Sequence, residues 1–358
     1  MIAERRHFHT FDALRFFSFL VVFLHHVSFS NSKIIGSFTK SGGIGVSFFF
    51  VLSGFLITYI LLNEKNSKGN ISLKNFMVRR ILRIWPLFYA MIAFAYLSPL
   101  ILNYLNLPFS NDGYKPDFIF SSLFLENYKM MQTGTFPNGS PLTVMWSLCI
   151  EEHFYILWGL VFYFLSVKKV PYLLAFTIIM SNIVRIIYTL NSISTIDVFS
   201  NFDYFAYGAI PAYLLVVNNK IIGKIGEIPL FIKYFILIVT AVLVFVIPNI
   251  HFNYKEFIYP NIFGIFISFI IISTFSSQNP IYISDKALIS KLGVYTYGLY
   301  LYHTIIINLI LQINNLVSVK IHWLIVTLSS FIITVLVSIL SYHLFEKQFL
   351  KLKKYFYN

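Results

Sequence analysis

Arg15 and His26 stand eleven residues apart within one apolar run, FDALRFFSFLVVFLHH. On a helix turning about 100° per residue, that spacing sets them within about 20° of one face and about 16 Å apart along the axis. A guanidinium and an imidazole on one stripe suit a site that holds an anion at one end and moves a proton at the other. His25, about 100° away, reads as a packing or hydrogen-bonding residue. The rival for the pair, a snorkelling Arg15 and a His26 bonded to a neighbouring helix, leaves the shared face without a cause. In RRILRIWP, Arg80 and Arg83 project at i, i+3 from the start of a later run, where paired guanidiniums suit bidentate binding of phosphate. Topogenic charge against lipid phosphate is the other reading of these two.

Glu151 and Glu152 lie in WSLCIEEHFY, a block opened by Trp146, and His303 closes YGLYLYH beside Tyr302. Counted from the starts of their runs, Glu151 falls about 14 Å below one membrane surface and His303 about 13 Å above the other. Glu151, His26 and His303 are thus expected to meet near mid-membrane, where buried ionisable groups need a proton, a cation or water. For His303 a polar knot tying helices together is an equal alternative. Asp203 reads as a helix cap, and FVLSGFL as a close-packing string. Glu346 reads as a partner for inner-face arginines or as a solvated terminal charge. Cys149, the single cysteine, has no adjacent cation to activate it and makes no disulfide framework. No HExxH, zinc-spaced Cys/His set, GxSxG or Walker loop is present, so no metal is expected.

The elements that must position these groups are membrane helices. Of 358 residues, 58% are hydrophobic and only 11% charged, with a mean hydropathy of +0.75, which excludes a soluble globular protein, for which about 25% charged is usual. Runs able to cross about 30 Å of hydrocarbon begin near Phe11, Ile44, Ile84, Leu142, Tyr172, Asp203, Lys233, Phe257, Val294 and His322. The expectation is an all-α polytopic protein of about ten spans, some broken or re-entrant, forming one domain over 1–358 with spans over about 11–350. The sixth run, from Asp203, reads as short and interrupted by Gly208 and Pro211. Arg5 and Arg6 precede the first run, but no small-residue cleavage site follows, so it reads as a retained span.

With the N-terminus inside, 19 Lys and Arg residues fall inside and 6 outside (Lys33, Lys40, Lys115, Lys129, Lys255, Lys320), with Arg15 and Arg185 within spans. That bias favours both termini in the cytoplasm and explains most of the +13 net charge without nucleic acid. The connection 105–141, rich in Pro and Gly (Pro108, Pro116, Gly113, Gly134), suits a structured loop at the outer mouth.

The strings FDALRFFSFLVVFLHH, GVSFFFVLSGFLI, RRILRIWP, WSLCIEEHFY, YGLYLYH and SYHLFEKQFL occur in order from 11 to 350. Together they resemble the acyltransferase-3 family of integral membrane O-acyltransferases, across essentially the whole chain. The resemblance implies ten spans and transfer of an acyl group, usually acetyl, from cytoplasmic acyl-CoA to a hydroxyl of a carbohydrate or cell-surface glycan. It implies a bacterial inner membrane, His26 as the catalytic histidine, and Arg15, Arg80 and Arg83 as contacts of the donor. Two residues depart from the pattern: Ser47 stands where many relatives have Asp, and His153 where Gln is frequent. No appended soluble domain is expected after residue 350, so a second step would need other envelope-biosynthesis proteins.

Chemistry argues the same way. A hydroxyl attacks a thioester only if a base removes its proton, and a neutral His26 in a low-dielectric site can do so. Glu151 would orient or stabilise that imidazole, with Glu152 and Trp146 in support. Tyr302 and neighbouring tyrosines would bind sugar hydroxyls. The competing expectation is a proton-coupled transporter or flippase of a glycan or small molecule, since intramembrane His, Glu and Arg also suit that task.

Overall fold

Each of the ten apolar runs forms a helix: α1 Phe11–His26, α2 Gly42–Lys68, α3 Leu73–Tyr104, α4 Trp146–Phe164 and α5 Val170–Leu190, then α6 Val198–Val217, α7 Leu230–Val246, α8 Lys255–Phe275, α9 Thr296–Leu316 and α10 Trp323–Ser341. The computed structural model describes residues 6–27, 39–104, 106, 112–250, 254–276, 278–316 and 321–356. Arg5, Lys33, Pro108 and Lys320, used in the charge and loop readings, lie outside them. Among the described residues there is no strand, only an isolated bridge between Tyr114 and Pro137. The chain is a polytopic all-α membrane protein.

Seven of the ten, α2, α3, α5 and α7 to α10, are long and apolar enough to cross a membrane, and an eighth span forms if α6 is counted with the following helix Asn219–Glu227. Among the described residues the count is therefore seven or eight, a little below the expected ten. At 16 residues, α1 is about 24 Å long, short of the hydrocarbon thickness. In α4 the polar stretch Glu151-Glu152-His153 lowers the hydropathy.

Contacts divide the chain into two compact units. One comprises the described residues through Ile71 with Leu157–Thr195 and Phe199–Thr296. Its central helix is α2, 67% of whose apolar stretch is buried, against 28% in α5 and 22% in α7, which keep most of their surface for lipid. α2 and α6 cross through glycine: a Cβ on Gly54 would strike the Phe205 carbonyl, and one on Gly208 the Val51 carbonyl. α6 also begins at Val198, not Asp203, and runs unbroken through Gly208 and Pro211. Pro211 lacks the N–H that would bond the Tyr207 carbonyl one turn back. Ser268 donates its hydroxyl to that carbonyl instead, at 2.7 Å, so the helix continues. The break comes after Val217, where the chain bends by 103° into Asn219–Glu227.

The other unit comprises Ser72–Ile156, Ile196–Val198 and Tyr297–Asn358. Its core joins α3, α4 and α9 through Phe88, Met91, Leu148, Cys149 and Leu301, with Phe124 stacked on Phe88 at 3.8 Å. The described part of the connection 105–141 is structured, as expected. Asp117 caps the helix Phe118–Ser122 by accepting from the amides of Ile119 and Phe120. The buried Glu126 accepts hydrogen bonds from the hydroxyls of Tyr114 and Ser121. Burial, and then that carboxylate, raise the Tyr114 phenol above its ordinary value.

Candidate functional site

In the first unit, α1 carries Asp12, Arg15 and His26 at angular positions within about 60° of one another. All three are half-buried, while the intervening Phe19 and Val22 are buried. Arg15 donates to Asp12 Oδ1 at 2.5 Å, an i, i+3 ion pair that fixes the guanidinium at the start of the helix. His26 Nδ1 lies 3.0 Å from the Val22 carbonyl oxygen. A carbonyl only accepts, so Nδ1 carries the hydrogen and the lone pair of the neutral ring sits on Nε2. In that tautomer Nε2 is the acceptor nitrogen of the ring. His25 bonds the Thr39 carbonyl, packs against Gly42 and meets the His26 ring edge-on at 4.9 Å, as its packing assignment expects.

The second unit holds Arg80, Arg83, Trp146, Glu151, Glu152, Tyr302 and His303. Here α3 and α4 bring three side chains into series: the Arg80 guanidinium lies 5.6 Å from the centre of the Tyr155 ring, and the Tyr155 hydroxyl donates to Glu151 Oε2 at 2.7 Å. Arg80 also faces Phe76 at 6.0 Å, and among the described residues its buried Nε has no hydrogen-bond partner. Arg83, one turn on, is exposed. Glu152 is buried and takes a hydrogen bond from Trp85 Nε1 at 3.3 Å, while its Oε1 has no hydrogen-bond partner among the described residues. The two adjacent carboxylates therefore have different surroundings. Trp146 opens α4, half-buried.

His303 is fully buried, and its Nδ1 bonds the Tyr300 carbonyl at 2.6 Å. The Tyr302 hydroxyl donates to Ser341 Oγ at 3.0 Å. Ser341 in turn donates to Glu346 at 3.4 Å, across the π-helical turn Tyr342–Glu346 that follows α10. Glu346 is 8% exposed, so it is not a solvated terminal charge. The Ser47 hydroxyl donates to the Gly43 carbonyl, within its own helix, at 3.0 Å. Cys149 is buried in the apolar core, in keeping with its exclusion as a nucleophile.

Asp203 overturns the capping assignment. It lies five residues inside α6, fully buried, where Arg185 of α5 donates to both carboxylate oxygens at 2.8 and 2.9 Å and Ser181 adds a third bond at 3.2 Å. The guanidinium also reaches the Ser200 carbonyl. Arg185 went unassigned in the sequence because its partner is 18 residues away on the next helix. Asp12 was missed too, although its i, i+3 spacing from Arg15 was a usable signal.

A helical membrane protein that carries an Arg-to-His stripe on one helix and an Arg-Tyr-Glu series elsewhere is a candidate for acyl transfer, and comparison with known proteins places it. A model of the acyltransferase domain matches residues 8–343, so the chain belongs to the acyltransferase-3 family. It is similar to peptidoglycan O-acetyltransferase OatA of Listeria monocytogenes, with 34% identity over 177 residues, 48% of this chain and 27% of that protein. A putative peptidoglycan O-acetyltransferase of Bacillus subtilis, YrhL, is 38% identical over 152 residues, 41% of this chain and 22% of the relative. A putative O-acetyltransferase of Staphylococcus aureus is 33% identical over 164 residues, 44% and 25% of the two chains. The matched segments thus cover about a quarter of each relative's length. No solved structure matches the chain.

Proposed function

We propose that the protein is a membrane O-acetyltransferase that moves an acetyl group from acetyl-CoA to a hydroxyl of a cell-surface glycan. The observation that carries this reading is the His26 tautomer: a ring whose Nδ1 hydrogen is tied to the Val22 carbonyl presents a basic Nε2, on the helix face that carries Arg15. Family membership supports acyl transfer, and the names of the relatives favour acetyl as the group and a peptidoglycan-type sugar as the acceptor.

In this reading the acceptor hydroxyl gives its proton to His26 Nε2 as its oxygen attacks the thioester carbonyl. The tetrahedral intermediate collapses with loss of CoA thiolate, which takes up the proton held by His26. Arg80 and Arg83 are suited to donor phosphate as two guanidiniums at i, i+3, and Arg15 offers a guanidinium for an anion on the face that carries His26. Glu151, expected from sequence to serve the imidazole, is assigned here to the Tyr155 that backs Arg80. The basic-residue bias supports both termini on the cytoplasmic side, and the names and sources of the relatives favour a bacterial membrane.

The test supplies acetyl-labelled acetyl-CoA to the purified protein in detergent, with and without a muropeptide or chitooligosaccharide acceptor. His26-dependent thioester cleavage supports the reading. Its absence, with transport of the glycan in proteoliposomes, would support the transporter instead.

A further inference from the structure

His7 and His9 precede α1, and Asp285 lies in the loop that leads into the helix Leu288–Gly293, all within one unit. Thr10 joins the two segments by donating its hydroxyl to the Ile281 carbonyl at 3.2 Å and accepting from the Ile283 amide at 3.1 Å. Two residues beyond Ile283, the Asp285 carboxylate meets both imidazoles on one oxygen: Oδ2 lies 2.5 Å from His9 Nδ1 and 3.2 Å from His7 Nε2. The rings meet edge to face at 4.6 Å, and the three donor atoms all lie within 4.8 Å of one another.

We propose that His7, His9 and Asp285 form a binding site for one divalent first-row transition ion of the zinc class. Two ring nitrogens and a carboxylate oxygen converging this closely need protons or a cation between them. Two imidazoles and one carboxylate are a common zinc donor set, which leaves a fourth position to water or an added ligand. With bonds of about 2.0–2.2 Å, a tetrahedral ion needs its donors about 3.4 Å apart. The present separations reach that by small rotations, since all three side chains are exposed.

The surroundings supply both rigidity and access. The His9 ring lies 5.6 Å from the Tyr282 ring, and Arg6 is anchored to the Phe275 carbonyl at 2.9 Å. A cavity of about 190 Å³, lined by Arg6, His7, His9 and Tyr282 among others, opens beside the cluster, with room for an exchangeable ligand. A bound ion would clasp the segment before α1 to the 281–285 loop. The ligands are 276 and 278 residues apart in the chain, so spacing could not reveal them and the sequence expectation of no metal gave no hint. The proposal does not depend on acyl transfer.

The experiment uses full-length protein without a histidine tag, stripped with chelator and titrated with zinc chloride by calorimetry, then with cobalt chloride by visible absorption. One equivalent of zinc and cobalt d–d bands of a four- or five-coordinate N/O site are expected. The double change His7→Ala, His9→Ala should weaken that event at least tenfold and abolish the bands. Asp285→Asn keeps a hydrogen-bond acceptor but loses the charge, and should weaken binding while leaving the folded protein monodisperse on size exclusion. If either folded variant, the double or Asp285→Asn, binds zinc and cobalt as wild type does, or if wild type binds neither, the site is refuted.

Discussion

Tyr155 couples Glu151 to Arg80. Its hydroxyl donates to the Glu151 carboxylate at 2.7 Å, and its ring lies 5.6 Å from the Arg80 guanidinium. One side chain therefore fixes a carboxylate four residues back on its own helix and supplies an aromatic face to an arginine on another. A hydrogen bond to a charged group contributes about 1.5–3 kcal/mol, and a desolvated cation–π contact up to about 2 kcal/mol.

These two contacts can be separated. Tyr155→Phe keeps the ring and loses the hydroxyl, so it should raise the KM for acyl-CoA by about tenfold or less. Tyr155→Leu loses both contacts and should raise it further, with smaller effects on the acceptor KM. Steady-state kinetics with each substrate varied would check this, and equal, unchanged donor KM values in both variants would remove Tyr155 from the donor site.

The buried Arg185–Asp203 pair makes a prediction about stability. Removing one partner by Asp203→Ala strands a guanidinium that is almost wholly buried, at a cost of about 3–5 kcal/mol. Replacing both together with apolar residues, Arg185→Met with Asp203→Leu, should cost much less because no charge is left alone. Thermal unfolding in detergent, followed by intrinsic tryptophan fluorescence, should rank the double variant above the single one.

The α2–α6 crossing offers a packing test. Gly208→Ala would drive a methyl group into the Val51 carbonyl and force the helices apart, at about 1–3 kcal/mol or more. Gly43, whose Cβ would meet open space, is the control, and Gly43→Ala should leave the unfolding midpoint nearly unchanged.

The Tyr114–Glu126 contact fixes an alkaline limit. Because the folded state raises the Tyr114 value above 10, that group's contribution is complete below about pH 10 and is lost as pH rises above it. Tyr114→Phe should therefore flatten the fall in stability above pH 10 while lowering stability at neutral pH, where the buried Glu126 loses a donor. Denaturant unfolding at pH 7 and pH 10.5 checks both signs.

How much of this was legible in the sequence follows from the range of each interaction. All ten helices were marked by their apolar runs, and the Arg15–His26 face by local periodicity, because both depend on residues within a few turns. Continuity of α6 was not legible. Pro211 and Gly208 look like breakers, and only the Ser268 hydroxyl and the Val51 carbonyl, brought from other helices, explain why they are not. Asp203 at the head of an apolar run imitates a cap until α5 delivers Arg185. Tyr155 could have been found, since Glu151 and Tyr155 are i, i+4 on one helix, but its arginine required the fold.

The central claim rests on His26 Nε2 as the base. The direct test is turnover of labelled acetyl-CoA at saturating donor and acceptor in His26→Ala and His25→Ala, with monodispersity and donor binding measured on the same preparations. The account predicts no transfer by His26→Ala with donor binding retained, and substantial transfer by His25→Ala, whose ring bonds the Thr39 carbonyl. An active His26→Ala protein beside an inactive, well-folded His25→Ala protein would contradict it and move the chemistry to the neighbouring imidazole.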